Sequence, residues 1–180
     1  MSSEAIHKLG SVKSIDQFRA ILNDLNIPLP CDDAILMQAH SPLAKPITVF
    51  GKSVSNRFAI QPMEGWDGTT DGLPTDLTIR RWQRFGASGA KLIWGCEAVA
   101  VCPAGRANPN QLMLNQDTAE VITSLREELI NSHRDSIGST DDLVIGLQLT
   151  HSGRFARPNR KDRMEPAILY SHPMLNRRFG

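Results

Sequence analysis

Three short clusters hold the residues of this sequence best equipped for chemistry: Gln61-Pro62-Met63-Glu64, Glu97-Ala98, and Gln148 through Arg154. Each lies at the end of a short apolar run (FAI, LIWGC and LVIGLQL) of the kind that forms a buried strand. Parallel strands would bring the three clusters to one rim, and α/β proteins keep their ligands at the C-terminal ends of such strands. A side chain as small as Ala98 lets a planar ligand rest on backbone, while an amide such as Gln148 can satisfy its polar edge. Taken alone, a strand-end glutamine is more often a local hydrogen-bond partner.

Other chemistries find less support. Glu64 and Glu97 could exchange protons, but their separation in sequence prescribes no carboxylate dyad. His151 beside Ser152 suggests a hydrolase, yet adjacent residues seldom present a Ser–His hydrogen bond, and there is no GxSxG elbow. DGTTDG lacks the lysine of a P-loop, and no GxGxxG follows a strand. Cys31, Cys96 and Cys102 are widely spaced, with no CxxC pair and no nearby histidine, so they read as reduced thiols and no metal site is expected. Trp66, Trp82 and Trp94 read as core or rim packing, and the scattered His7, His40, His133 and His172 receive no role.

The elements that would carry the clusters are legible in the pattern. SIDQFRAILNDLN has Ile15, Phe18, Ile21, Leu22 and Leu25 at helical spacing behind a Ser14/Gln17 capping box, and Pro28 and Pro30 end it. ITVF, Gly51-Lys52 and SVSNRFAIQPM read as a hairpin leading into a buried strand that stops at Pro62. After the loop EGWDGTTDGLPTD, a helix runs from Pro74 or Thr75 through LTIRRWQRFGA, with Gly86 and Gly89 marking its end. AKLIWGCEAVAV supplies a second strand of about five residues. Asp117 and Glu120 can cap a helix carrying Val121, Ile122, Leu125, Leu129 and Ile130, which stops before Gly138. LVIGLQL is the third strand. The alternation of near-continuous apolar strands with helices predicts a parallel sheet covered on both faces, open or closed.

With 180 residues, 41% apolar and 22% charged, one α/β domain is affordable. Only about three βα units are visible, whereas a closed eight-stranded barrel takes about 250 residues. The expected organisation is a helical extension over residues 1–45 and a partial barrel over residues 46–180. The formal charge of +1 gives no field that would draw nucleic acid or an anionic membrane. Seven basic residues against two acidic ones lie between His151 and Gly180, and RFARPNRKDR reads more simply as a solvated loop than as a phosphate site. No apolar run approaches the roughly 18 residues of a membrane span, and MSSEAIHKLG lacks the apolar core of a secretion signal, so a cytoplasmic location is expected.

Four motifs in order, NRFAIQPM, DGLPTD, SGAKLIWGCEAVAVCPAGRANPNQL and IGLQLTHSGR, resemble the N-terminal part of the Old Yellow Enzyme family of NADH:flavin oxidoreductases, over roughly residues 46–175. EPAILYSHPMLNRR is most similar to the dienoyl-reductase-like branch. The resemblance implies the N-terminal portion of a (β/α)8 TIM barrel that holds FMN at its C-terminal rim, takes hydride from NAD(P)H and passes it to an activated alkene. It places Gln61, Pro62, Met63 and Glu64 where the first strand passes the flavin, and Ala98 and Gln148 at the flavin's polar edge. The family's usual substrate-binding His, its Tyr proton donor, a later-strand Arg and the FMN-phosphate loops have no counterpart in these residues, so catalysis is expected to need a completing polypeptide or a homo-oligomer. Glu64 stands where relatives commonly have Thr or Cys, and a carboxylate there opposes the negative charge of reduced flavin unless it is neutralised or paired. No iron–sulfur ligand run is present. Two other readings stay open: a noncatalytic interaction module that binds no flavin, and an unrelated barrel enzyme for a phosphorylated metabolite.

Overall fold

The computed structural model describes residues 8–179, so the initial MSSEAIH lies outside the described residues. The chain divides into two compact units at Ser41. In the first, helix α1 (Ile15–Asp24) starts at Ser14, whose hydroxyl accepts the Gln17 amide at 3.2 Å. The Gln17 side chain reaches back one residue further than a standard capping box, accepting from the Lys13 amide at 2.8 Å. Arg19 then straps the proline-rich exit, donating to the Cys31 carbonyl and pairing with Asp33.

The second unit opens with an antiparallel hairpin, β1 (Ile47–Val49) and β2 (Lys52–Val54). Its loop residues Phe50 and Gly51 have φ of 50° and 77°, the positive values that a tight two-residue hairpin loop demands. Strand β3 (Ala59–Ile60) is shorter and more open than the buried strand expected: Phe58 and Ala59 are exposed and Ile60 is only partly buried. Its one strand neighbour lies on one side, so the apolar run gains half the cover of a central strand.

Helix α2 (Asp76–Ala87) is capped by Thr75, with Thr78 completing a capping box. Gly86 lies inside the helix, and the left-handed Gly89 (φ 78°) follows its C-cap. Strand β4 (Leu92–Ala100) has nine residues where about five were expected. Trp94 stands opposite Gly146 and Ala98 opposite Gln148, so β4 spends two more residues than its neighbour over the same span. Gly95 allows this with φ 63°. Helix α3 (Ala119–Ile137) has Thr118 rather than Asp117 at its N-cap position, without a side-chain capping bond, and Asn115 Oδ1 accepts the amides of both residues. Gly138, with φ 99°, ends it. Strand β5 (Val144–Thr150) and a short helix α4 (Pro173–Phe179) complete the unit.

The sheet order is β3-β4-β5, all parallel. Trp82 of α2 and Ile122, Leu125 and Leu129 of α3 pack with Ile93, Cys96 and Val99 of β4 into one apolar core. Within this unit α2 and α3 therefore cover one face of the sheet, where cover on both faces was expected. On the other face Trp94 remains 40% exposed and meets the Phe50 ring of the hairpin at 5.5 Å. No helix among the described residues is long and apolar enough to cross a membrane.

Candidate functional site

The parallel order puts the ends of β3, β4 and β5 side by side, and the segment leaving β3 continues alongside β4. The Ala98 amide donates to the Met63 carbonyl at 3.1 Å. Pro62 lies against Gly95 so closely that a Cβ on Gly95 would approach the Pro62 Cβ at 2.5 Å. Between this loop and β5 opens a cleft of about 490 Å³, lined by Pro62, Met63, Glu64, Trp66, Ala98, Gln148 and Thr150.

Five of the six residues singled out in the sequence thus line one cleft: Pro62, Met63, Glu64, Ala98 and Gln148. Gln61 is exposed and does not line it. Ala98 and Gln148 are register partners across β4 and β5. Met63 is 64% exposed, which leaves an apolar wall facing solvent. Glu64 is partly covered and accepts the Trp66 indole N–H at 3.0 Å.

Glu97 takes no part in the lining. It is fully buried, accepts the Gly65 amide at 2.6 Å and pairs with Arg81 at 2.5 Å, so it forms no proton-transferring pair with Glu64 across the cleft. Burial pushes its carboxyl above the ordinary range, against the opposing pull of Arg81 and the Gly65 amide. The neighbouring Cys96 thiol is pushed up to about 12 by burial, which fits an inert reduced thiol.

Two further residues line the cleft, Thr150 from within the cluster 148–154 and Trp66, read from sequence as core or rim packing, while the supports behind them escaped the sequence reading. Thr150 follows Gln148 by two positions, so the period of the strand returns it to the same face, a signal that could have been used. Trp66 adopts φ 51° in a loop whose course depends on distant partners. Behind the cleft, the buried Gln111 amide donates to the Ala98 carbonyl at 2.9 Å and to Thr150 Oγ1 at 3.1 Å, and its oxygen accepts the Ala107 amide. Arg106 ties the strand-end loops together through the carbonyls of Thr70, Pro109 and Pro158. The basic run 154–163 contributes nothing to the cleft lining; within it, Arg160 pairs with Asp162.

Among solved structures, the fold has a clear counterpart. It is similar to an Old Yellow Enzyme. The enzyme from a Pichia species aligns over 67% of this chain and 29% of its own, with a TM-score of 0.55 and 23% identity. A 2-naphthoyl-CoA reductase in complex with 2-naphthoyl-CoA aligns over 65% of this chain and 16% of its own, with a TM-score of 0.54 and 16% identity. At such identities the likeness establishes the fold: three neighbouring strands and their helices form part of a (β/α) barrel wall, and no barrel closes within the described residues. The chain spans under a third of the length of the Old Yellow Enzyme it matches. No protein-family model matches the sequence, and no curated protein does either.

The cleft's donor set fits the ring of a flavin. Its volume suits a small planar ligand, and buried Ala98 leaves the backbone approachable. The side-chain amide of Gln148 makes no hydrogen bond among the described residues and lines the cleft, open to the polar edge of a ring. Among the described residues no Lys, Arg or His lines the cleft, so they offer a ring site without a cation for a phosphate.

Proposed function

We propose that the cleft holds the isoalloxazine ring of FMN, and that the chain carries the ring-binding wall of an NAD(P)H-dependent oxidoreductase of the Old Yellow Enzyme type, acting on activated alkenes. One observation carries this reading: Pro62, Met63, Glu64, Ala98 and Gln148, drawn from three separate stretches of sequence, meet around one cleft at the C-terminal ends of parallel strands. Similarity of fold to Old Yellow Enzyme supports it.

FMN, when bound, supplies acceptance and donation of hydride. The chain's own residues have simpler tasks. Gln148 donates to and accepts from the polar edge of the ring, Ala98 admits it to the strand backbone, and Met63 and Trp66 shield it from water. Hydride donor, acceptor and catalytic acid lie outside what these residues supply, so turnover is assigned to the completed barrel.

Titration of the purified chain with FMN and with riboflavin, followed by quenching of flavin fluorescence, tests the reading. Saturable quenching by both, with affinities within about threefold because no cation lines the cleft, is the expected result. No saturable binding of either compound by the folded chain would leave the interaction-module reading in its place. Competition by a sugar phosphate would favour a phosphorylated metabolite as ligand.

A further inference from the structure

We propose that Glu97, Arg81 and Asp67 form a positioning device that sets the Met63–Gly68 wall of the cleft from behind, so that the environment of a bound ligand depends on three side chains that never line the cleft. The ligand half of this proposal rests on the flavin reading above; the structural half stands without it.

The loop is fastened at two alternate residues. Glu97, at 0% exposure on β4, accepts the Gly65 amide through Oε1 at 2.6 Å and the Arg81 guanidinium through Oε2 at 2.5 Å. Arg81, carried by α2, also grips Asp67 with both carboxylate oxygens engaged, Nη2 to Oδ1 at 2.8 Å and Nε to Oδ2 at 3.0 Å. Its remaining nitrogen donates to the Cys96 carbonyl at 3.3 Å. Thr78 adds a bond to Asp67 Oδ1 at 2.9 Å, and Thr75 Oγ1 donates to the Asp67 carbonyl. A bidentate guanidinium fixes orientation as well as distance.

Trp66 is the residue between the two fastenings. With Gly65 held by β4 and Asp67 by α2, its backbone is driven to φ 51° while its indole holds Glu64 beside the cleft. A Cβ on Gly65 would lie 2.0 Å from Arg81 Nη2, so any larger residue there would displace the guanidinium from this arrangement. Taking two carboxylates and a guanidinium out of water is a poor way to gain stability, and its best-attested return is a unique local conformation. Glu97 lies within the irregular stretch of β4 between Trp94 and Ala98.

The test uses Glu97→Gln, which keeps an acceptor for Gly65 but loses the charge that Arg81 needs, and Asp67→Asn, which leaves the buried site intact and loosens only the second fastening. Amide hydrogen exchange over residues 64–68 is expected to quicken by roughly tenfold in each folded variant, with α3 unchanged. At saturating FMN, the visible circular dichroism of bound flavin is expected to differ from that of the parent, which a loss of global stability alone would not produce. If Glu97→Gln does not fold, Asp67→Asn decides by the same two measurements. Unchanged exchange at 64–68 in a folded variant, or an identical flavin spectrum at saturation, overturns the device. If the parent binds no flavin, the flavin reading falls while hydrogen exchange still decides the positioning.

Discussion

Asp142 shows how a single carboxylate can hold the sheet to its hairpin. Burial works to raise its pKa, but hydrogen bonds from Lys91 and Ser55 outweigh it and lower the group from its ordinary 3.8 to about 2. Lys91 reaches it at 2.7 Å, and the Ser55 amide, just beyond β2, at 3.1 Å. A carboxyl with a lowered folded pKa contributes stability above its unfolded pKa and loses that contribution as pH falls toward the folded value. Stability is therefore expected to drop between pH about 4 and about 2 by about 1 kcal/mol after solvent screening, and Asp142→Asn should flatten that part of a urea-melt pH series. Glu64 makes a second expectation at this scale. Its charge faces the proposed ring site while the Trp66 indole holds it, so Glu64→Thr should raise the midpoint potential of bound flavin by about 30 mV or more in a dye-linked titration. An unchanged midpoint removes the electrostatic role. Residue types at strand ends were readable from sequence because strand ends are; the Arg81 grip was not, because it joins positions on a helix, a loop and a bulged strand that no short-range spacing connects.

At the scale of elements, periodicity located every helix and strand that packs the core, and missed the details that depend on close approach. Gly86 is one of these. In sequence it reads as the end of α2, but a Cβ there would lie 2.2 Å from the Leu129 carbonyl oxygen, so its absence lets α2 and α3 cross in contact. His133 of α3 exploits that approach. Its Nε2 lies 3.0 Å from Lys91 Nζ and its Nδ1 2.8 Å from the Gly86 carbonyl oxygen, so both ring nitrogens are engaged in the buried interior. A histidine without an evident role in sequence is thus a buried bridge between two helices and Lys91, the residue that leads into β4. Gly86→Ala is expected to destabilise the fold by about 2–3 kcal/mol, because the atom in its way is backbone rather than a yielding side chain. Chemical denaturation would measure the loss, and a change below about 0.5 kcal/mol would mean that the helices can separate without cost.

For the whole molecule, the decisive property is a parallel sheet with both outer edges open among the described residues. The strand count was legible in the sequence because each strand is an apolar run; which face the helices leave uncovered was not, because an apolar run has no inside and outside. On β5 itself Leu149 is 58% exposed, and on the helix side Trp82, Leu114, Ile122, Ile145 and Leu147 line an open groove of about 370 Å³. Among the described residues Trp82 Nε1 has no hydrogen-bond partner, although the side chain is buried. An unpaired parallel edge flanked by apolar surface is a template for another strand and its helix. The chain is therefore expected to bind the dye ANS and to self-associate as concentration rises, with sedimentation velocity showing a growing weight-average mass. Leu149→Lys places a charge beside that edge and should shift the onset of association to higher concentration, about tenfold, while leaving the Trp82 core intact. A parent chain that stays monomeric across the series and leaves the dye dark would show that the open side is tolerated by water as it stands, and that nothing needs to dock there.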